Sequence, residues 1–250
     1  MINKGERLEE IGFGELRLIQ NPQEFCYGID AVLLADFACA FCPEFKDAVD
    51  LGTGTGIVPI IMSHKCENKQ SRLTGVEFQE SSVDIAQRSC EINGISHRIT
   101  VVQGDVAAID EIESLYKGCA DVVTSNPPYV ARSGGIPNKN SARYIARHET
   151  TAGIEEFVRA AAWLLEDRGH FFLVHRPSRL VDVFYHCRKY GLEPKDLRLV
   201  APCRGEIPNI ALIHCISGGG VELKLMDELY VYDGKSRYTR EIETIYERVK

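Results

Sequence analysis

The chain has 250 residues, 44% of them hydrophobic, and a formal net charge of −7 from 29 basic and 36 acidic side chains. This composition is ordinary for a folded globular protein and excludes a disordered, collagen-like or disulfide-stapled chain. The acidic balance excludes a protein that coats nucleic acid through its net charge, but leaves room for a local basic patch that binds RNA.

The sequence disfavours both membrane insertion and secretion. The longest apolar candidate, 29–41, contains Asp30 and Asp36 and falls short of the roughly 20 uncharged residues of a membrane helix. Residues 1–7 become charged at once, so we expect no signal peptide there. Nine cysteines without framework spacing are typical of thiols in a reducing compartment. We therefore expect a cytoplasmic protein that binds no membrane, and we assume a monomer.

The first predicted elements are a hairpin and a helix. Loose alternation around Gly12 and Gly14 predicts a short β-hairpin over 6–19. Asp30 stands where an N-cap is expected for the apolar helix that follows it. We predict that residues 1–45 form an N-terminal extension that packs on the main domain.

From residue 46 onward, short apolar strands alternate with helices. Strands are predicted over 48–51, 73–77, 99–103, 121–124, 169–175, 197–201 and 210–215, and helices over 57–64, 81–93, 107–116, 154–166 and 177–190. Such alternation is typical of βαβ units in a parallel sheet. We predict an α/β, Rossmann-like domain over 46–217, whose seven-stranded, mostly parallel sheet carries helices on both faces and an antiparallel edge strand. Residues 218–250 are predicted as a strand and helix tail of that domain.

A glycine-rich turn follows the first strand of this domain. It reads Asp50-Leu-Gly52-Thr53-Gly54-Thr-Gly56. Glycines let a backbone approach a ligand without a Cβ clash, and the carboxyl edge of a parallel sheet is where such folds bind ligands. A dinucleotide site needs glycines at G-x-G-x-x-G, but here the third glycine comes one residue early, which disfavours NAD.

Acidic residues at three successive strand ends favour S-adenosylmethionine as the ligand. Asp50 closes the first strand and suits the amino-acid end of that molecule. Glu77 ends the second strand, where a carboxylate can pair with ribose hydroxyls, and Asp105 follows the third, near the adenine amine. The predicted cofactor site also contains Gly52, Thr53, Gly54, Gly56, Phe78, Val106 and Asn126. The alternative is a strand–glycine–helix turn that is only structural.

The fourth strand ends in a rigid turn, Asn126-Pro127-Pro128-Tyr129. Two prolines fix φ and remove two backbone donors, so the turn presents carbonyls, one amide and one aromatic ring. The Asn126 amide oxygen and the Pro127 carbonyl suit the two hydrogens of a planar amine, while Tyr129 can stack on a flat target. We predict that all four residues are catalytic in methyl transfer. The alternative is a turn that merely ends a strand.

These motifs together resemble the class I amino-methyltransferases with an N/D-P-P-Y motif, over roughly 20–215. Upstream, Phe-Cys-Tyr-Gly-Ile-Asp-Ala-Val-Leu-Leu at 25–34 resembles the segment that leads into the cofactor domain of bacterial valine-tRNA adenine-N6 methyltransferases. The tail over 238–246 is similar to the C-terminal end of the Gram-positive branch of these enzymes. The resemblance implies the class I methyltransferase fold, Asp30 near the methionine end of the donor, S-adenosylhomocysteine as product, no metal, and methylation of adenine 37 in tRNA.

Three other functions stay open at this stage. Protein glutamine methylation of the release-factor type uses the same turn, but those enzymes carry a helical domain where this chain has fewer than fifty residues. DNA adenine methylation is disfavoured because the length leaves no sizeable target-recognition domain. A non-catalytic module that binds S-adenosylmethionine is disfavoured by the intact Asn126 and Tyr129.

The segment 130–150, directly after the predicted catalytic turn, is basic. It carries Arg132, Lys139, Arg143 and Arg147. Because of this position, we predict that these four residues bind the RNA substrate, by gripping phosphates or as part of a lid. A solvated loop is the alternative.

The cysteines and histidines give no metal prediction. Cys39 and Cys42 have no second pair at zinc-like spacing, so thiols packed in the core are favoured over a metal or redox pair. The seven histidines form no i,i+4 pair on one helix. We therefore expect no metal site.

Overall fold

The computed structural model describes residues 2–22, 27–129, 152–234 and 236–249. The strands are β1 Arg7–Glu10, β2 Arg17–Gln20, β3 Asp47–Leu51, β4 Arg72–Glu77, β5 Ile99–Gln103, β6 Ala120–Ser125, β7 Leu165–His175, β8 Leu192–Ala201, β9 Ile210–Ser217, β10 Lys224–Leu225 and β11 Leu229–Tyr230. The α-helices are α1 Ile29–Phe41, α2 Ile57–Lys65, α3 Glu80–Ile92, α4 Ile154–Leu164, α5 Leu180–Lys189 and α6 Arg240–Ile245. Short 3₁₀ helices cover Val106–Glu111 and Pro177–Arg179.

One large sheet organises the chain and confirms the predicted class I α/β fold. Its seven longer strands lie in the order β5-β4-β3-β6-β7-β9-β8, and β10 and β11 both pair with β8. The described residues thus place nine strands in the sheet instead of the predicted seven. The two additional strands have two residues each, which is too short for a hydrophobic period to reveal them.

The antiparallel strand lies inside the sheet and not at its edge, contrary to the prediction. β9 is antiparallel to both of its neighbours, β7 and β8. After β7, helix α5 leads to β8, which lies two strand positions away from β7. The short connection 202–209 then leads to β9, which fills the position between β7 and β8. A connection of this length can join only antiparallel strands, because parallel strands need a longer crossover.

The two faces of the sheet each bury one hydrophobic cluster. Neighbouring residues of β7 illustrate the alternation: Phe172 belongs to the cluster that includes side chains of α1 and α2, whereas Phe171 belongs to the cluster that includes side chains of α4 and α5. Both phenylalanines are fully buried. Helices therefore cover the sheet on both sides, which leaves its two edges as the places where polar groups of the strand ends are accessible.

The N-terminal hairpin is confirmed as β1 paired with β2, and it is attached to α3. The backbone N–H of Ile19 donates to Ser89 Oγ at 3.1 Å. The Arg88 guanidinium donates to both carboxylate oxygens of Glu6, at 2.8 and 2.6 Å. These bonds hold the hairpin against the helix that follows β4.

Several predicted elements differ at their ends. Asp30 is not the N-cap of α1: Gly28 occupies that position, and Asp30 lies in the first turn. The predicted helix over 107–116 is a 3₁₀ helix that starts after Asp105, because the Asp105 side chain accepts the N–H of Ala107 and caps it there. Among the described residues, no helix is long and apolar enough to cross a membrane.

Candidate active site

The glycine-rich turn directly follows β3 and has a left-handed backbone. Gly52 and Gly54 adopt φ of 72° and 56°, a region that costs other residues strain. The N–H groups of Gly52 and Thr53 both donate to the carbonyl of Val76 on β4, at 2.9 and 3.0 Å. A Cβ on Gly52 would lie 3.1 Å from Phe157, whereas a Cβ on Gly54 would meet nothing within 4 Å. The turn therefore packs tightly at one glycine and faces open space at the next.

This open space is a solvent-accessible cleft at the carboxyl edge of the sheet. The residues around it include Asp50, Gly52, Thr53, Gly54, Glu77 and Asn126. An adjoining cavity shares Gly52, Glu77 and Asn126 with the first, and adds Phe78, Asp105, Val106 and Pro128. The ends of β3, β4, β5 and β6 thus bring most of the predicted cofactor residues to one continuous cleft, as parallel strands require.

Asp50 is the most deeply buried acid of the cleft, with 4% of its surface exposed. Its Oδ1 accepts a hydrogen bond of 2.7 Å from the hydroxyl of Thr124 on the neighbouring strand. Burial raises the pKa of Asp50 from 3.8 to about 7, and the Thr124 bond opposes only part of that shift. The cleft therefore contains a carboxyl group that a cationic ligand would help to ionise.

Glu77 is held in place by the backbone. Its Oε2 accepts the N–H of Gly54 and its Oε1 accepts the N–H of Gln79, each at 2.9 Å. Burial raises the pKa of Glu77 despite these bonds. A carboxylate has about four acceptor positions, so Glu77 can still accept a hydrogen from a ligand, for example from a hydroxyl of a diol.

Asp105 and Phe78 line the adjoining cavity. Asp105 Oδ1 accepts the N–H of Ala107 at 2.8 Å and so starts the 3₁₀ helix, which gives this acid a structural task besides the predicted one. The Phe78 side chain is 40% exposed, which is unusual for its size. An aromatic ring and an acid beside a cavity suit a flat, hydrogen-bonding ring system.

The Asn126–Tyr129 turn leaves β6 at the edge of the same cleft. Ser125 Oγ, just before it, donates to the carbonyl of Leu51 at 3.0 Å and fixes the strand end. The Tyr129 hydroxyl lies 2.8 Å from Asn126 Oδ1 and 3.0 Å from Asp30 Oδ2. Asp30, which was predicted to bind the methyl donor, therefore contacts the predicted catalytic turn.

Two residues of the β7 end hold the Tyr129 ring. The His175 ring centre lies 5.0 Å from that of Tyr129 at a steep angle, and Arg176 Cζ lies 4.9 Å above the tyrosine ring. Burial lowers the pKa of His175 to about 4. Neither residue was predicted to belong to the site. The position of His175, at the end of a strand on the same edge as Asp50 and Glu77, is the sequence feature that could have indicated it.

Other predicted residues lie apart from the cleft or outside the described part of the chain. Gly56 packs against α3, where its Cβ would lie 3.2 Å from that of Ala86. Arg132, Lys139, Arg143 and Arg147 lie outside the described residues. Conversely, Tyr27, Gln79 and Ser82 border the cleft and were not predicted. Of these, only Tyr27 carried a signal, because it belongs to the segment 25–34 that resembles methyltransferases.

The paired cysteines of α1 have the properties of core thiols. Burial raises the pKa of both Cys39 and Cys42 to about 12. Within the residues that the structure describes, no group of three or more His, Cys, Asp or Glu side chains could hold a metal ion.

Comparison with known proteins places the chain in a family. Residues 29–182 match the family described as methyltransferase small domain. The chain is 29% identical over 170 residues to the tRNA1(Val) (adenine(37)-N6)-methyltransferase of Porphyromonas gingivalis, and this match covers 66% of the chain but only 64% of the relative. It is 27% identical to the protein of the same name from Actinobacillus pleuropneumoniae, with 84% of each chain covered.

A solved structure supports the fold. The crystal structure from Agrobacterium tumefaciens described as a predicted O-methyltransferase superposes with a TM-score of 0.70 at 21% identity, over 87% of this chain and 95% of that one. At this identity the likeness establishes the architecture alone. The family match spans more than half of the chain and includes the glycine turn, the three acids and the Asn-Pro-Pro-Tyr turn. The chain belongs to the methyltransferase small domain family.

Proposed function

We propose that this protein is an S-adenosylmethionine-dependent methyltransferase that methylates the exocyclic N6 of an adenine in RNA, specifically adenine 37 of a valine tRNA. The observation that carries the proposal is the position of Asn126, whose amide borders the same cleft as Asp50 and Glu77. The names of the two relatives above support the choice of RNA. We also propose a cytoplasmic location, where tRNA is found.

The polar and aromatic residues of the cleft fit S-adenosylmethionine. Asp50 is an acid suited to an ammonium group, and Glu77 retains acceptor capacity suited to a ribose diol. Gly54 leaves room for the ligand beside the backbone. Phe78 and Asp105 in the adjoining cavity suit an adenine ring and its amine. The product would be S-adenosylhomocysteine, and no step requires a metal.

When bound, S-adenosylmethionine supplies a methyl group on a cationic sulfur, and the C–S bond breaks as the new N–C bond forms. The task of the protein is orientation of the target amine. Asn126 Oδ1 and the Pro127 carbonyl each accept one N–H, which favours a nitrogen with a free lone pair. The extra proton on nitrogen becomes acidic only after transfer, so no strong base is needed.

The substrate is tested by incubating the protein with labelled methyl donor and, separately, with tRNA transcripts, ribosomal RNA, duplex DNA and release factor. We expect label in valine tRNA, and loss of that label when adenine 37 is changed to guanine. Labelling of release factor but of no RNA would overturn the substrate assignment in favour of glutamine methylation.

Catalysis and donor binding are separated by Asn126→Ala. We expect this variant to bind S-adenosylmethionine within about threefold of the wild-type affinity, while methyl transfer falls by about 100-fold or more, since an interaction made only in the transition state is lost. Calorimetry measures the first quantity and label transfer the second. Unchanged transfer by Asn126→Ala would refute the proposed mechanism.

A further inference from the structure

The Tyr129 hydroxyl lies between two acceptors but carries one hydrogen. Its oxygen is 2.8 Å from Asn126 Oδ1 and 3.0 Å from Asp30 Oδ2, so both acceptors are within hydrogen-bond distance. A single O–H can point at only one of them in a well-aligned bond. Which acceptor receives the hydrogen decides how much acceptor capacity remains on the Asn126 amide.

The carboxylate is the stronger of the two acceptors. A hydrogen bond to an ionised oxygen is about twice as strong as one to a neutral amide, and the difference grows away from water. The ring of Tyr129 is held by His175 and Arg176, so its oxygen stays between the two acceptors. Burial and the nearby Asp30 raise the pKa of Tyr129, which keeps the hydroxyl protonated and therefore a donor.

We propose that Asp30 is a positioning residue that takes the Tyr129 hydrogen and so leaves Asn126 Oδ1 available to the target amine. This rests on the proposed function, in which that oxygen accepts an N–H of the target. Without the Asp30 acceptor, Tyr129 donates to Asn126 Oδ1 and competes with the target for it. In the intact protein, Asp30 acts through Tyr129 and not by contact with the reacting atoms.

The Asp30 carboxylate is held by the Ala31 N–H, which donates to its Oδ1 at 3.0 Å, in space that Gly28 leaves free. A Cβ on Gly28 would lie only 2.6 Å from Asp30 Oδ1, so the present position of the carboxylate needs glycine there. Gly28 has φ of −106° and ψ of 177°, a conformation that alanine adopts freely. Gly28→Ala therefore displaces the Asp30 carboxylate without removing its charge and without backbone strain.

A double-mutant cycle tests the proposal. Asp30→Asn keeps the size of the side chain but presents an amide that can donate to Tyr129, which turns the hydroxyl toward Asn126. We expect Asp30→Asn to lower kcat about tenfold at saturating donor and RNA, the size of one hydrogen bond near a charged group. In the Tyr129→Phe background, where no hydroxyl competes, the same change should alter kcat by about twofold or less.

Two further variants control the cycle. Gly28→Ala should reproduce the loss of kcat, again only where Tyr129 is intact. Asp36→Asn makes the same chemical change on the same helix, at an acid that pairs with Lys65 at 2.8 Å, and should change neither kcat nor the cycle. Equal losses from Asp30→Asn in both backgrounds, or a loss explained entirely by weaker donor binding in calorimetry, would overturn the proposal.

A second readout needs no turnover. The ¹³C resonance of the Asn126 side-chain carbonyl responds to an accepted hydrogen bond, and Asn126→Gln identifies it in a spectrum of the labelled protein. We expect Asp30→Asn to move this resonance downfield, and Tyr129→Phe to abolish that movement. An unmoved resonance would overturn the role of Asp30. A moved resonance in a protein that methylates no RNA would overturn the proposed substrate and leave the role of Asp30 standing.

Discussion

Replacing Asp50 with asparagine tests whether the cleft contains a charge that folding disfavours. The side chain is almost fully buried and its pKa is raised from 3.8 to about 7 by that burial. Asparagine has nearly the same size and keeps an oxygen that can accept the Thr124 hydroxyl. The variant therefore removes the charge and little else.

The size of the effect follows from proton linkage. Because the folded protein binds this proton more tightly than the unfolded chain, the group contributes its full stability below pH 4, and that contribution is lost as the pH rises toward 7. Each pKa unit corresponds to about 1.4 kcal/mol, so ionisation of Asp50 lowers the free energy of unfolding by about 4 kcal/mol at pH 7 and above. In the variant, an asparagine N–H₂ without an acceptor lowers the free energy of unfolding by about 1–3 kcal/mol. Relative to the ionised wild type, the variant therefore gains about 1–3 kcal/mol of stability.

The assay is urea unfolding of both proteins at pH 5 and pH 8. We expect Asp50→Asn to be more stable than the wild type at pH 8, and the gap to shrink at pH 5, where the wild-type carboxyl is mostly protonated. Asp47→Asn is the matched control on the same strand. The Asp47 side chain is partly exposed to solvent and pairs with Arg72 at 2.8 Å, so removal of its charge should slightly destabilise the protein. A gap that does not depend on pH would refute the reasoning.

Three other predictions follow from the described contacts. Glu6→Gln should lower the free energy of unfolding by about 1–2 kcal/mol at pH 7, because the Arg88 guanidinium holds the pKa of Glu6 at about 2; denaturation curves should show the difference vanish as the pH falls from 4.5 to 2. Gly54→Ala should cost about 1 kcal/mol through its positive φ and weaken donor binding, as thermal shifts with and without donor would reveal; an unchanged shift would contradict the placement of the donor. Cys39 and Cys42 should resist alkylation at pH 8, and rapid modification in mass spectra would show that these thiols are not core groups.

The strand-end residues of the cleft were predictable because local patterns determine them. Alternating strands and helices predict a parallel sheet, and parallel strands present their carboxyl ends at one edge. Asp50 and Glu77 stand at such ends in the sequence and line one cleft in the structure. No knowledge of side-chain packing was needed for this step.

The contacts between distant segments were not predictable from the sequence. Tyr129 and Asp30 are separated by 99 positions, and their hydrogen bond depends on the way α1 packs beside β6. The interior position of β9 likewise depends on where α5 returns the chain. Hydrophobic period identifies the elements, but it does not encode the order in which neighbouring strands are joined.

Stability and binding should respond in opposite directions at Asp50. The same substitution that relieves a buried charge removes the partner that we propose for the ammonium group of the methyl donor. Loss of one partner from a buried charge pair weakens binding by about 2–5 kcal/mol. A purely structural acid would not behave in this way, since its neutral variant would either destabilise the fold or leave ligand binding unchanged. A more stable protein with a weaker donor affinity is therefore the combination that identifies Asp50 as a binding group whose folding cost is retained for function.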